Sequence, residues 1–250
     1  FSSVHAFDKA LAVIDEGDKV PRKTPDVQGK RATIWLAQGK YDDACPVFVE
    51  LASGPKNSGA LQMQAICWAQ LGRVDEADKL FADAEAAYRD VSPFMYASLW
   101  FERGMMWERQ GDAEKAASFY RASLERLPQH AHAATHLAQI DPPEKAEATL
   151  APVMQIADDP EVKAVLGMAK EKLAPGSGKA LIDEAKAAYD ALMQKHPLAF
   201  ADHAGWFYLK AVNDPARAAE VARQNLQNRQ THEAYELAVA ALTAAGNTTE

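Results

Sequence analysis

The segment WFERGMMWERQGDAEKAASFYRASLERLP, from Trp100 to Pro128, constrains the fold more than any other part of the chain. It holds two amphipathic stretches divided by the dipeptide Gly111-Asp112. Glycine there predicts a first helix that ends in a left-handed cap, and Pro128 stops the second helix. Gly104 and Ala116 are small where the paired helices must approach closely, and Tyr120, one turn past Ala116, fills the remaining gap. The arrangement recurs. Gln38 to Leu51 carries Gly39, Tyr41, Ala44 and Phe48, and Gln70 to Ala84 carries Gly72, Ala77, Phe81 and Ala84. Farther on, Ala146 and Leu150 fall in the same pattern, then Ala185, Tyr189 and Leu192 before Pro197, then Ala218 and Ala222. Helix pairs thus recur at uneven intervals of about 34 residues. Alternating Val/Ile/Thr runs, the mark of strands, are nearly absent, and abundant alanine favours closely packed helices.

These landmarks resemble the tetratricopeptide repeat (TPR) family over nearly the whole chain, most fully in the third repeat. The resemblance implies an all-α fold, a right-handed α-α superhelix or TPR solenoid of about six helix-turn-helix repeats with terminal helices. Residues 1–250 are expected to form one domain. An N-terminal helix lies within 1–20, repeats occupy 25–56, 58–91, 93–128, 129–159, 160–197 and 198–230, and a last helix covers 231–246. The fourth and fifth repeats depart from the family pattern through a shortened turn at Asp141 and the insertion Pro175-Gly176-Ser177-Gly178. Val4 to Asp15 reads as one amphipathic helix, and Thr231 to Ala245 as a final helix capped by Gly246. The stretch from Ala201 to Asn247 resembles the last repeats of bacterial proteins of this kind, which implies a prokaryotic source. Neither end is obviously polar, whereas a solenoid needs polar caps, so the chain is expected to be cut from a longer array.

Composition narrows the function. A net charge of −8 argues against nucleic-acid binding, and no apolar run is long enough to span a bilayer. The opening FSSVHAFDKALAVIDE lacks the basic and apolar regions of a signal peptide; the compartment is cytoplasmic or exported, with a slight lean to exported. No G-x-S-x-G or H-E-x-x-H motif is present. The segment Ala174-Pro175-Gly176-Ser177-Gly178-Lys179-Ala180 looks like a phosphate loop, but it lacks the earlier glycine, the Ser or Thr after the lysine, and a preceding strand. Cys45 and Cys67 sit among apolar residues and read as small buried hydrophobes. Pro46 reads as a first-turn proline. The expectation is no enzyme and no cofactor.

In the TPR family the first helices of successive repeats line a concave groove. The resemblance implies that Gln62, Ile66, Phe101, Met105, Glu108, Thr135, Met168, His203 and Phe207 form the partner-binding groove here. These residues make a largely apolar stripe with methionine in it, suited to an adaptable protein or peptide contact. Self-association through the same stripe or the chain ends is the alternative. Glu108 and Glu171 flank the stripe and favour some basic character in the partner. The Lys/Asn clamp by which some relatives hold a C-terminal carboxylate is missing. Trp35, Trp68 and Trp107 share one place on the first helices, and core packing is favoured over a ligand-stacking ladder. His132 and His136 stand four apart and share a helix face, a weak candidate metal pair without an adjacent third ligand.

Overall fold

The computed structural model describes residues 1–19, 25–54 and 57–246. Among them the chain is all-α, with no strand. The helices are α1 Phe7–Asp18, α2 Pro25–Gln38, α3 Tyr41–Ala52, α4 Ser58–Gln70, α5 Val74–Ala87, α6 Pro93–Arg109 and α7 Ala113–Arg126. They continue as α8 Ala131–Ile140, α9 Ala146–Met154, α10 Pro160–Leu173, α11 Lys179–Lys195, α12 Pro197–Phe207, α13 Pro215–Asn228 and α14 His232–Ala244. Two compact units form: Phe48–Ala185, and Phe1–Val47 together with Lys186–Glu250.

In the unit Phe48–Ala185, α4 pairs with α5 and α6 with α7. Side-chain caps start several of its helices: Asn57 accepts from the Gly59 and Ala60 amides, Asp112 from Lys115, and Asp159 from Glu161. Gly111, at φ 77°, makes the left-handed turn between α6 and α7. The α6–α7 approach depends on Gly104, because a Cβ built there would lie 2.5 Å from the Tyr120 ring. Ser123 Oγ adds a buried bond to the Ala97 carbonyl at 2.9 Å. Between α5 and α6, Arg103 grips Asp78 through two bonds of 2.8 and 2.9 Å, and Trp107 Nε1 donates to the same carboxylate at 2.9 Å. Burial would raise the Asp78 carboxyl, but the Arg103 and Trp107 hydrogen bonds more than offset it and hold its pKa below the ordinary value. Farther along, Ala134, Ala138, Leu150, Val153, Val162 and Val165 build a core shared by α8, α9 and α10.

The other unit is made of two chain segments far apart in sequence. The Gln230 amide donates to the Gln38 carbonyl at 3.0 Å. Arg229 Nε donates to the Ala37 carbonyl at 3.2 Å, and the Arg229 guanidinium also pairs with Asp202. Asn228 Nδ2 reaches the His5 carbonyl at 3.1 Å, and the His5 ring bonds the Leu198 carbonyl at 2.9 Å. Tyr41 stacks on His232 with centroids 5.7 Å apart.

Several expectations need correction. Residues 4–15 are not one helix: a 3-10 turn covers Ser2–Val4, His5 takes a left-handed φ of 51°, and α1 begins only at Phe7. Pro46 is not in a first turn, because α3 already starts at Tyr41. The carbonyl that loses a partner belongs to Asp42, an exposed residue whose oxygen water can serve. Cys45 and Cys67 are buried, as expected of small apolar side chains. Trp68 and Trp107 pack half-buried against the core of Leu61, Phe81 and Leu99, in keeping with core packing, and Trp35 is half-buried as well. Each has a cation over its ring: Arg31 at 5.9 Å over Trp35, Arg73 at 4.1 Å over Trp68 and Lys115 at 3.2 Å over Trp107.

Candidate partner-binding site

Helix α6 presents Phe101, Met105 and Glu108 at steps of four and three, hence on one face. Helix α8 brings His132 and His136 to the same place, and His130 stands at its N-cap. The rings gather around Phe101. Its centroid lies 5.9 Å from Tyr120, 5.3 Å from His130, 5.8 Å from His132 and 5.6 Å from His136. Phe101 and Met105 also pack against the core of Ala116, Ala117, Tyr120, Ala133 and Leu137.

One carboxylate organises the polar side of this cluster. Glu108 Oε2 accepts from the Tyr120 hydroxyl at 2.5 Å and lies 2.8 Å from His136 Nδ1. Burial and the Glu108 charge push the Tyr120 hydroxyl far above its ordinary pKa, so it stays a donor. His132 Nδ1 is 3.6 Å from Glu161 Oε2 on α10, and the His132 side chain is 53% exposed. The His130 imidazole accepts from the Ala133 amide at 3.2 Å. Burial, then the nearby His132, lower the His130 pKa.

The expected groove residues divide between the units. Gln62, Ile66, Phe101, Met105, Glu108, Thr135 and Met168 belong to Phe48–Ala185, and His203 and Phe207 to the other. In the first group, Gln62 is buried and donates to Ser98 Oγ at 3.3 Å. Thr135 is fully buried and donates to the His132 carbonyl at 3.0 Å. Ile66 and Met168 are half-buried against separate cores. In the second unit Phe207 is buried against Tyr189 at 4.9 Å, and His203 is half-exposed with Nε2 3.9 Å from Asp202. Phe101, Met105 and Glu108 therefore form one cluster with the three histidines.

The basic flank expected of a partner loses its two supports. Glu108 is bound to Tyr120 and His136, and Glu171 accepts from the Gly176 and Gly178 amides, both at 2.8 Å. The glycine loop that looks like a phosphate cradle thus closes its amides around the chain's own carboxylate. Among the described residues, no group of three or more His, Cys, Asp or Glu side chains is placed to hold a metal ion. His132 and His136 both face the Phe101 ring.

Sequence reasoning missed the capping role of His130. A polar residue three before Ala133, at the head of a helical stretch, was the available signal. It also missed the bond between Glu108 and Tyr120, because the two lie on different helices.

No family model matches the chain. No curated protein matches it either. Solved structures do. The Rap conjugation gene regulator of plasmid pLS20, solved in complex with the Phr* peptide, is 16% identical with a TM-score of 0.60 over 98% of this chain and 69% of that one. A tetratricopeptide repeat protein from Parabacteroides merdae is 16% identical with a TM-score of 0.55 over 97% of this chain and 100% of that one. A chain of the APC/C hetero-tetramer Cut9-Hcn1 is 17% identical with a TM-score of 0.54; 95% of this chain is covered, but it spans only 46% of that one. At such identities the likeness concerns the backbone, and the fold is the all-α helical-repeat fold of TPR proteins.

Proposed function

We propose that the chain is a protein-interaction module that holds an apolar or amphipathic peptide segment against the Phe101–Met105 face. The observation that carries the reading is the ring cluster itself. Phe101 and Met105 are half-buried, so each keeps apolar area in contact with solvent. His132 and His136 lie against the Phe101 ring, and Glu108 is bonded to His136 beside it. Apolar surface with a few positioned polar groups is the usual make-up of a recognition site. The Rap regulator, whose fold is similar, was solved with a peptide, which supports the same use of the fold here. The partner's central feature is an apolar anchor.

The test is a pull-down from native extract that compares the wild-type chain with Phe101→Ala/Met105→Ala, with helicity checked by circular dichroism. Capture by the wild type alone supports the groove; equal capture by a folded double variant removes it. A second reading, self-association, has one observation in its favour: Val91, Phe94 and Met95 are exposed together before and at the start of α6. Light scattering over a concentration series decides it, since a strict monomer at high concentration counts against it.

Among the described residues, no helix is long and apolar enough to cross a membrane.

A further inference from the structure

Among the histidines of the ring cluster, His130 has a role that the other two lack. Its Nδ1 is an acceptor, taking the Ala133 amide proton at 3.2 Å, and this bond caps the N-terminus of α8. An imidazole can accept there only while it is neutral. The same ring stacks against Phe101 at 5.3 Å and meets His132 edge-on at 6.3 Å. A helix N-terminus carries partial positive charge, so a cation at this place meets repulsion from the helix dipole.

Of the elements packed against α8, the 3-10 turn Pro143–Lys145 carries Glu144 and Lys145, and the helices carry charged groups of which several are paired. From α6, Glu108 is bound to Tyr120 of α7 and to His136. Glu102 and Arg109 of α6 act on Tyr120. Also on α7, Arg121 pairs with Asp141. From α9, Glu147 pairs with Lys170 of α10 at 3.1 Å. From α10, Glu161 lies by His132, and Lys163 is held by Asp158 and Glu184. The charge that reaches His130 is that of His132, of like sign. His132 Nδ1 and His136 Nδ1 each lie beside a carboxylate, whereas protonation of His130 at Nδ1 removes the bond that caps α8.

We propose that His130 is a pH-sensitive latch on the candidate peptide face: protonation at Nδ1 uncaps α8, loosens the first turn of the helix and turns the imidazole away from Phe101. Acidification then enlarges the apolar area that Phe101 offers to a partner. This regulation rests on the peptide-face reading above for its consequence, but the latch is measurable without a partner. Its sign follows from linkage. A base whose folded-state pKa is lowered stabilises the fold in its neutral form. That contribution is complete above its unfolded value of about 6.5 and is lost as pH falls below it.

The experiment follows the Ala133 backbone amide by hydrogen exchange in the full chain, corrected for intrinsic rates, from about pH 7.5 to about pH 5, the range over which histidine titrates. A parallel titration reads the fluorescence of the apolar dye anilinonaphthalene sulfonate. Wild type is compared with His130→Asn, which caps without titrating, and with His130→Ser as a second non-titrating cap. In the wild type, protection of Ala133 is expected to fall by about fivefold, the factor set by losing an ordinary cap, and dye fluorescence to rise. Both variants should stay flat over the same range. Equal pH dependence in wild type and variants, or none in any, overturns the latch whatever the pull-down shows. Failure of the pull-down together with a wild-type-only titration overturns the peptide-face reading and leaves the latch standing.

Discussion

Gly104 shows how one residue governs the α6–α7 pair. A methyl group at that place would meet Tyr120 Cε1 at 2.5 Å and Cδ1 at 2.8 Å. The ring cannot swing aside freely, because its hydroxyl is tied to Glu108 and the ring lies against Phe101 and His136. Gly104→Ala should therefore destabilise the unit Phe48–Ala185, even though alanine is the better helix former. Overpacking of this kind costs about 1–3 kcal/mol, more than the roughly 1 kcal/mol that the propensity gain returns. Thermal unfolding monitored by circular dichroism measures the balance; an unchanged or raised midpoint would show that the helices can separate at no cost. This contact was legible in the sequence, because Gly104, Ala116 and Tyr120 sit at the spacing that two crossing helices need. The tether from Tyr120 to Glu108 was not legible. It depends on how α7 lies against α6, and periodicity along one helix carries no such information.

Elements were read well where a turn residue has a distinct backbone preference, and poorly where it has none. Gly39, Gly72, Gly111 and Gly246 all take positive φ, as residues past the ends of helices do. The start of α1 was misread because His5 adopts that conformation without being glycine. In the loop before α11 the Gly176 and Gly178 amides bond Glu171, a residue that the sequence reading assigned to the partner flank. Here the carboxylate acts as an internal anion. The Gly176 and Gly178 amides hold its pKa below the ordinary glutamate value, and the Ser177 hydroxyl donates to the Lys170 carbonyl at 2.8 Å. A carboxyl with a lowered pKa stabilises its loop above its unfolded value, about 4.3, and that support is lost as pH falls through the lowered value. Glu171→Ala should therefore loosen residues 174–178 at neutral pH as acid does in the wild type. Limited proteolysis reads this as faster cutting in that loop with helicity unchanged. Equal cutting rates in the two proteins would mean that the loop is held by its packing on Gly167 instead.

At the scale of the whole molecule, the unit that joins Phe1–Val47 to Lys186–Glu250 sets a different requirement. Its contacts link residues about 190 positions apart, so loop-closure entropy must be offset by bonds formed only after both segments are made. No sequence pattern announced this, because repeats inform on neighbours and not on which distant repeat a terminal helix will meet. Arg229 is central to the join. It donates to the Ala37 carbonyl and pairs with Asp202, and both side chains of that pair are largely shielded, at 18% and 23% exposure. Burial would raise the Asp202 carboxyl, but the charges of His203 and Arg229 hold it low. Arg229→Ala leaves that carboxylate without its guanidinium and the Ala37 carbonyl without a donor. Removing one partner of a fully buried pair costs about 3–5 kcal/mol, and the residual exposure here reduces the expectation to about 2 kcal/mol. The decisive readout is where the loss is felt. If the two segments form one cooperative unit, hydrogen exchange should show residues 32–38 of α2 and residues 218–228 of α13 losing protection together and by the same free energy. Loss confined to α13 and α14, with α2 unchanged, would mean that the N-terminal segment holds its structure without the C-terminal one.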